Sequence, residues 1–300
     1  MRTSRCGTRV NPTDRLGGTF MTNRPFRFGA NLLMASASRA QWRARVREAE
    51  DLGYDTLQVP DHLGMVAPFP ALMAAADVTR MRLGTYVVNA GVAEPAYLAQ
   101  NVAEMHRLTD GRFEFGLGAG YVEEESAAVG RPFGTPGSRV RRLAEVLTAV
   151  RDRLAAEPDR PVPPIMIAGG GKRVLELGAR NADIVSFSIL ANLGPGGPED
   201  AFAERIGRVR AAAGDRADDI ELNLFVAGAG ATVADVDLSL GTMMSGRPAD
   251  EVARMPAYLV GPPAAVAERL LRYREQWGVS YISVLEQDIH AFADVIRHLR

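Results

Sequence analysis

The sequence has little cysteine, lysine or histidine. Its 300 residues include one cysteine, Cys6, and one lysine, Lys172. A lone cysteine excludes an internal disulfide and a cysteine metal cluster, and it is typical of a reducing compartment, so we expect a cytoplasmic protein. None of the four histidines pairs at metal-ligand spacing, so no metal site is expected.

Long apolar runs and a strong charge imbalance are also missing. No apolar stretch reaches the roughly 18 residues that a membrane-spanning helix needs. The formal net charge is −1. A basic surface for nucleic acid or an anionic membrane is therefore not indicated, and we expect neither as a partner.

What is present is the composition of a globular protein, with 47% hydrophobic and 24% charged residues. Residues 1–24 differ, because they are polar and glycine-rich, carry five arginines and lack the apolar core of a secretory signal. We expect a disordered N-terminal extension there, with Met21 as an alternative start and a transit-type signal as another interpretation. Residues 25–300 are expected to form one domain.

From Phe26 onward, short strand-like runs alternate with helical periodicity. Ser38 and Gln41 form a predicted capping box before a helix, and residues 228–257 are expected to be an irregular insertion with short helices. The expected strands are Phe26–Leu32, Thr56–Val59, Arg82–Val88, Phe113–Leu117, Ile165–Ala168, Asp183–Ser188, Glu221–Val226 and Tyr281–Leu285.

Eight such strand–helix units predict an α/β fold with a parallel sheet closed into a (β/α)8 TIM barrel. An open, doubly wound sheet is the structural alternative. In a barrel of this kind the active site lies at the carboxyl ends of the strands. That rule directs attention to the residues that follow each predicted strand.

Asp61 and His62 follow the second strand. A neighbouring carboxylate can hold an imidazole in one tautomer, so that it acts as an acid or base or bonds to a cofactor ring. The alternative is that Asp61 caps a helical turn while His62 fills the barrel mouth. The strand ending in Asn89 reads on its own as an ordinary buried strand.

A glycine-rich segment, Gly116–Tyr121, ends the fourth strand. Glycines at a strand end let the backbone approach a ligand closely, although a flexible loop is the alternative. The spacing is not that of a dinucleotide fingerprint. The acidic run Glu123–Glu125 that follows is interpreted as solvated rather than catalytic.

The most informative segment on chemical grounds is Ala168–Arg173. A strand runs through Gly169, Gly170 and Gly171 into a helix start that carries Lys172 and Arg173. Free N–H groups, the positive end of the helix dipole and two cationic side chains would converge on an anion, which predicts phosphate binding. The alternative is a tight turn with solvated basic residues.

Taken in order, the motifs resemble those of the luciferase-like monooxygenase superfamily, and more closely its coenzyme F420-dependent branch. The resemblance extends from about Phe26 to Leu285. The segments that carry it are FRFGANL, WRARVREAEDLGYDTLQVPDHLG, RLGTYVVNAGVAEPAYLAQNVAEMHRLTDGRFEFGLGAGYVEEE, PIMIAGGGKRVLELGARNADIVSFS and VGPPAAVAERLLRYREQWGVSYISVLEQ.

The resemblance implies a barrel that pairs into a homodimer and holds F420, or alternatively FMN, in its mouth. His62 would lie by the ring, and Asp61 would steady it. Relatives carry a non-prolyl cis peptide, which here would join Tyr86 and Val87. The implied cofactor-binding residues are Tyr86, Val87, Asn89, Gly118, Gly120, Ala168, Gly169, Gly170, Gly171, Lys172 and Arg173.

The sequence also departs from that pattern. Val66 stands in the region of a tryptophan found in F420-dependent sugar and alcohol dehydrogenases, and Tyr121 replaces a glutamate after the glycine loop. Tyr121 is therefore a candidate second proton donor. An Arg-His-Pro of many relatives reads Ala93-Glu94-Pro95 here. These changes count against sugar or alcohol dehydrogenation and leave cofactor binding largely untouched.

The expected activity is hydride transfer between the deazaflavin and a small organic substrate. An FMN-dependent monooxygenase on the same barrel is one alternative. A second is a protein that binds a flavin or deazaflavin without turnover. A third is a phosphate-binding barrel isomerase or lyase that uses the Gly169 loop for its substrate.

Overall fold

The computed structural model describes residues 24–34, 38–157, 162–188 and 197–300. The expected N-terminal extension, with both candidate start residues, lies outside these ranges apart from Arg24. Within them, no helix is both long enough and apolar enough to cross a membrane.

Eleven β-strands occur in the described ranges. Most are four to six residues long and buried along most or all of their length. They are Arg27–Asn31 (β1), Thr56–Val59 (β2), Arg82–Thr85 (β3), Val88–Asn89 (β4), Phe113–Gly118 (β5), Ile165–Gly169 (β6), Ile184–Phe187 (β7), Glu221–Val226 (β8), Gly228–Gly230 (β9), Tyr258–Val260 (β10) and Val279–Leu285 (β11).

Nine of these strands form one closed, all-parallel barrel. Around the barrel the order is β3, β2, β1, β11, β8, β7, β6, β5, and the pairing of β3 with β5 completes the ring. The short β4 continues the path of β3 and pairs with the end of β5. Counting β3 and β4 as one interrupted strand gives eight, so the predicted (β/α)8 barrel is confirmed and the open sheet is excluded.

Helices follow the barrel strands in alternation. Each barrel strand is followed by at least one helix before the next begins, which is the connection that a parallel sheet requires. The helices are Arg39–Asp51 (α1), Pro68–Ala76 (α2), Pro95–Leu108 (α3), Glu123–Ala128 (α4), Pro136–Ala155 (α5), Lys172–Asn181 (α6), Pro198–Ala213 (α7), Ser239–Ser245 (α8), Ala249–Val252 (α9), Pro263–Trp277 (α10) and Ile289–Leu299 (α11).

Helix α1 shows how local sequence sets these elements. The Ser38 hydroxyl accepts a hydrogen bond from the Gln41 amide, and the Gln41 side chain accepts one from the Ser38 N–H. This reciprocal bonding satisfies two of the N–H groups that every helix start leaves free. The predicted capping box is therefore confirmed, and Trp42, Val46 and Ala49 form the buried face.

Three features were not anticipated. Helix α2 fills the connection between β2 and β3, and α4 begins with the acidic run Glu123–Glu125 that follows the glycine-rich segment. The insertion contains the expected short helices α8 and α9, but β9 and β10 also pair there in parallel. The insertion therefore extends to Val260 and has a small core of its own around Tyr258.

The predicted strand Arg82–Val88 is interrupted. A cis peptide bond joins Tyr86 and Val87, as the resemblance implied, and it separates β3 from β4. Both residues are half-buried. The interruption lies near the carboxyl ends of the barrel strands, so it borders the region in which the active site is expected.

At the opposite, amino-terminal end, charged side chains fill the barrel. The Glu114 carboxylate accepts hydrogen bonds from Arg27 at 2.7 Å and Arg82 at 2.5 Å, and Glu221 accepts two more from Arg27 at 2.7 and 3.1 Å. We call Arg27, Arg82, Glu114 and Glu221 the lower cluster. Tyr281 adjoins it, with the Arg27 guanidinium 4.2 Å from the centre of its ring.

Candidate active site at the carboxyl ends of the strands

The carboxyl ends of β2, β4 and β5 bring several polar side chains together. Asp61 and His62 follow β2, Asn89 ends β4, and Gly118 ends β5 before the chain turns into α4. All barrel strands run in the same direction, so these ends share one rim. This is the rim at which barrels of this fold carry their active sites.

His62 is held by Glu125 of helix α4. The His62 Nδ1 atom lies 2.7 Å from Glu125 Oε1, and the His62 side chain keeps about a quarter of its surface exposed. The sequence interpretation placed Glu125 in a solvated acidic run, but the residue is only 7% exposed. Its neighbours Glu123 and Glu124 are exposed, so the run divides into one buried and two solvated carboxylates.

The Glu125 carboxylate accepts from three N–H groups. Besides His62 Nδ1, the backbone N–H of Leu63 donates to Oε1 at 3.2 Å, and the Asn89 side-chain amide donates to Oε2 at 3.1 Å. An ionised carboxylate is an acceptor only, so His62 must carry a proton on Nδ1 in this contact. The contact therefore selects one imidazole tautomer.

Tyr121 completes a chain of hydrogen bonds on the outer side of His62. Its hydroxyl lies 3.1 Å from His62 Nε2, and the two rings meet edge-on with centroids 5.4 Å apart. Tyr121 is half-exposed. Partial burial, together with the Glu125 carboxylate, raises the pKa of the Tyr121 phenol, so the hydroxyl keeps its proton at neutral pH.

We call Glu125, His62 and Tyr121 the upper relay. It begins at a buried carboxylate, passes through an imidazole whose two nitrogens are both engaged, and ends at a hydroxyl in contact with solvent. Such a chain can carry a proton between the barrel mouth and the imidazole. Within the described residues, no group of three or more His, Cys, Asp or Glu side chains could hold a metal ion.

Asp61 has a different role from the one expected. Its Oδ2 atom accepts the backbone N–H of Asn89 at 3.1 Å, and no hydrogen bond joins the Asp61 and His62 side chains in the described structure. Burial, and then the nearby Glu125 charge, raise the pKa of the Asp61 carboxyl. Asp61 therefore holds the backbone at the end of β4. The side-chain contact to His62 is made by Glu125.

Asn89 and Gly120 support the relay rather than line open space. The Asn89 side chain donates to Glu125 and accepts the Gly91 N–H at 2.9 Å. Gly120 has a φ of +76°, and a Cβ there would collide with the Asn89 amide. A glycine is therefore needed both for this backbone conformation and for the approach of Asn89. Gly118 similarly leaves room for Val87.

Tyr86 points into the barrel beneath this rim. Its hydroxyl lies 2.7 Å from Ser186 Oγ and 3.0 Å from Asn223 Oδ1, and Asn223 in turn donates to Ser283 at 2.8 Å. Burial raises the pKa of Tyr86 well above its usual value. These hydroxyl and amide groups make a polar layer between the apolar interior and the rim.

The segment Ala168–Arg173 forms a second group of predicted residues on the same rim. Strand β6 ends at Gly169 and α6 begins at Lys172, with no side-chain cap on the helix start. Gly171, Lys172 and Arg173 are exposed, and no described atom lies within 4 Å of the place a Gly171 Cβ would take. The helix start is therefore open to an anion.

A separate cavity of about 220 Å³ lies between α3 and α5. It is lined by His106, whose pKa is lowered by burial, and by charged residues of both helices. None of the predicted site residues reaches it. His106 therefore belongs to the outer helical layer and not to the rim.

The described structure thus brings together Asp61, His62, Asn89, Gly120 and Tyr121, and adds Glu125. Residues 19–254 match the profile of the family described as "Luciferase-like monooxygenase".

The chain belongs to the luciferase-like monooxygenase family. Among curated relatives, it is 32% identical over 163 residues to an F420-dependent glucose-6-phosphate dehydrogenase of Kribbella flavida, which covers 45% of this chain and 49% of that protein. It is also 32% identical over 119 residues to 4-hydroxyprotoasukamycin monooxygenase of Streptomyces nodosus subsp. asukaensis, covering 38% and 31%. The chain spans about half the length or less of these relatives.

A solved structure shares the fold. An F420-dependent secondary alcohol dehydrogenase in complex with an F420–acetone adduct superposes with a TM-score of 0.71. The alignment covers 92% of this chain and 98% of that one, at 14% sequence identity. At this identity the similarity establishes the barrel architecture alone.

Proposed function

We propose that this protein is an oxidoreductase that binds coenzyme F420 and exchanges a hydride between the deazaflavin and a small organic substrate. The observation that carries the proposal is the coexistence, on one rim of the barrel, of the upper relay and the open start of α6. The first can move a proton, and the second can hold an anionic tail.

The residues at the start of α6 fit a phosphorylated cofactor. Backbone N–H groups at Gly171, Lys172 and Arg173 begin the helix without a side-chain cap, and the helix dipole favours negative charge there. Lys172 Nζ lies 3.9 Å from Glu176, and two-thirds of its side chain is exposed. This weak pairing leaves the ammonium able to contact a phosphate.

The barrel mouth fits a polar ring. Asn31, the last residue of β1, is 3% exposed, and its Oδ1 atom has no hydrogen-bond partner in the described structure. Asn31 shares the inward face of β1 with Arg27, because alternate residues of a strand point the same way. A buried acceptor without a partner is costly, so a donor on a bound ring would offset that cost.

In the proposed reaction the deazaflavin supplies hydride chemistry, while the chain supplies binding and proton management. His62 accepts or returns a proton at Nε2. Tyr121, which is half-exposed and hydrogen-bonded to that atom, presents a proton to the substrate. Placing these groups in contact before the reaction begins removes the entropic cost of assembling them.

The relatives support the cofactor class more than any substrate. The F420-dependent glucose-6-phosphate dehydrogenases match this chain over about half of their length. The chain also lacks the tryptophan and glutamate described above, with Val66 and Tyr121 in their places. We therefore propose a small organic substrate other than a sugar phosphate, and we retain the homodimer and the cytoplasmic location as parts of the same proposal.

An FMN-dependent monooxygenase is the second candidate. Its support is the 32% identity with 4-hydroxyprotoasukamycin monooxygenase. In such an enzyme reduced flavin would react with oxygen in the same mouth. Substrate-dependent oxygen uptake with reduced FMN distinguishes it from an F420 enzyme, and the absence of turnover with either cofactor would favour a binding protein.

The deciding experiment is a fluorescence titration of the purified protein with F420 and, separately, with FMN. We expect micromolar affinity for F420 and weaker binding of FMN. The double variant Lys172→Ala/Arg173→Ala should bind F420 at least about tenfold more weakly, because two charge-assisted contacts to phosphate are lost.

Arg180→Ala provides the matched control, since Arg180 lies on the same helix at its far end and pairs only loosely with Glu176 at 4.0 Å. Its affinity for F420 should match that of the wild-type protein. The deazaflavin without its phosphodiester tail should bind both the wild-type protein and the double variant equally. Binding of neither cofactor, or equal F420 affinity in the double variant, would reject the proposal.

A further inference from the structure

Glu125 is buried, and its polar contacts all lie within or beside the upper relay. Its side chain is 9% exposed, and its two oxygens receive His62 Nδ1, the Leu63 N–H and the Asn89 amide. Burying a carboxylate is expensive unless it is fully hydrogen-bonded. The three donors meet that requirement and leave the carboxylate oriented toward His62.

The surroundings of Glu125 are arranged to keep it in this position. Asn89 is itself fixed from two sides, by Asp61 on its backbone N–H and by the Gly91 N–H on its side chain. Gly120 leaves the space that the Asn89 amide occupies. The support therefore extends over β4, the loop after β5 and helix α4, which is more than a surface ion pair would need.

The consequence concerns which nitrogen of His62 is available. Because Glu125 requires a proton on Nδ1, neutral His62 presents a lone pair on Nε2, and that atom faces Tyr121 at 3.1 Å. The opposite tautomer would put a lone pair against the carboxylate. The titratable groups around the imidazole are Asp61, Glu125 and Tyr121.

We propose that Glu125 is a positioning residue that fixes His62 in the Nδ1-protonated form, so that His62 exchanges protons through Nε2 with Tyr121 and Tyr121 is the residue that meets the substrate. This inference rests on the proposed function for its catalytic meaning. The contacts that support it are independent of any cofactor.

The proton step balances in both directions. When a substrate hydroxyl is oxidised, its proton passes to the Tyr121 oxygen while the Tyr121 proton passes to the Nε2 lone pair, which leaves an imidazolium beside the Glu125 carboxylate. When a carbonyl is reduced, the Tyr121 proton passes to the substrate oxygen, and the imidazolium returns a proton from Nε2 to Tyr121. Glu125 keeps its contact with Nδ1 throughout and stabilises the charged ring.

The test reads the tautomer directly in the full-length protein without cofactor. The protein is labelled with ¹⁵N-histidine, and long-range ¹H–¹⁵N spectra are recorded at a pH where the imidazoles are neutral. Only four histidines contribute signals, and the His62→Asn variant identifies those of His62. We expect the wild-type protein to carry the His62 proton mainly on Nδ1.

In Glu125→Ala, the ratio of Nδ1–H to Nε2–H should fall by about tenfold or more, because a hydrogen bond to a charged group is strong enough to shift an equilibrium by that factor. Glu124→Ala is the matched control. Glu124 is the adjacent carboxylate of the same helix and is exposed, so its removal should leave the ratio unchanged.

A wild-type spectrum in which His62 carries its proton on Nε2 would overturn the inference, and this measurement needs no variant to fold. An unchanged ratio in a folded Glu125→Ala protein would overturn it as well. Failure of the proposed function looks different, because it would appear as absent F420 and FMN binding in the titration while the wild-type His62 tautomer remained as expected.

Discussion

The two ends of the barrel contain similar chemical groups in different arrangements. At the amino-terminal end, the charges of the lower cluster are paired with one another, since both carboxylates are nearly buried and each is bonded to Arg27. At the carboxyl end, the upper relay also starts from a buried carboxylate but ends at the half-exposed Tyr121 hydroxyl.

The two arrangements differ in whether they can exchange protons with their surroundings. Although burial opposes the charge on Arg27, Glu114 and then Tyr281 and Glu221 raise the pKa of its guanidinium, so Arg27 stays charged. The upper relay has an imidazole and a phenol in series, and both can give or accept a proton. We expect the first arrangement to stabilise the barrel, and the second is suited to proton transfer.

The largest effect we predict is on stability, from Glu114→Ala. The Glu114 side chain is 4% exposed and accepts from both Arg27 and Arg82, so its removal leaves two arginines facing each other with one carboxylate fewer. Removing one partner of a buried ion pair costs about 3–5 kcal/mol. Because both arginines keep some exposure, we expect about 3 kcal/mol, the lower end of that range, in urea unfolding.

The control for Glu114→Ala is an exposed ion pair at the carboxyl end of the barrel. Glu94 is bonded to Arg131 at 2.9 Å, but two-thirds of the Glu94 side chain is exposed. Glu94→Ala should therefore cost less than about 1 kcal/mol. F420 affinity per folded molecule should be unchanged in Glu114→Ala. A loss of stability no greater than that of Glu94→Ala would show that the lower cluster is not a stabilising element.

The second prediction concerns catalysis at the upper end. Tyr121→Phe keeps the ring against His62 but removes the hydroxyl, so the relay stops at His62 Nε2. We expect kcat to fall about 100-fold, equivalent to about 2.7 kcal/mol, which is the lower range of general acid–base contributions. The measurement is the rate of reduced F420 oxidation with a carbonyl compound that the wild-type protein reduces.

Stability and F420 affinity should be retained in Tyr121→Phe, since the lost hydroxyl is half-exposed. Tyr97→Phe is the matched control. Tyr97 is 69% exposed on α3 and belongs to neither the lower cluster nor the upper relay. If Tyr121→Phe reacted as fast as Tyr97→Phe, the proton would have to reach the substrate by another route.

Periodicity and capping predicted most of the fold. The alternating strand and helix patterns placed all eight barrel strands, and Ser38 with Gln41 marked the start of α1. Helix α2 escaped prediction because its sequence, PFPALMAAA, has two prolines and no capping side chain. The pair β9 and β10 escaped because three-residue strands are too short to show alternation.

The site was partly accessible to the same reasoning. The strand-end rule found His62, and the family resemblance added Asn89 and Tyr121, but three consecutive glutamates look alike in sequence. On a helix, successive residues point about 100° apart, so Glu125 can face the barrel while Glu123 and Glu124 face solvent. Which of the three turns inward depends on where α4 begins, and no side-chain cap marks that point.

The smallest predicted effect is a pH dependence of stability at the upper end. Asp288, the residue before α11, is 7% exposed, and burial raises the pKa of its carboxyl to about 6. The folded protein thus binds a proton more tightly than the unfolded chain, whose Asp pKa is about 3.9. This contribution to stability is fully present below that value and is lost as the pH rises through about 6.

Asp288→Asn removes the titration while keeping the shape of the side chain. Above pH 6 the variant should unfold at a higher temperature than the wild-type protein, by roughly 2 °C, the scale of a 1 kcal/mol change in a domain of this size. The difference should shrink as the pH is lowered toward 4. Parallel Tm curves over this window would mean that another group compensates the Asp288 carboxylate. The carboxyl end of the barrel would then resemble the amino-terminal end, where the charges are paired.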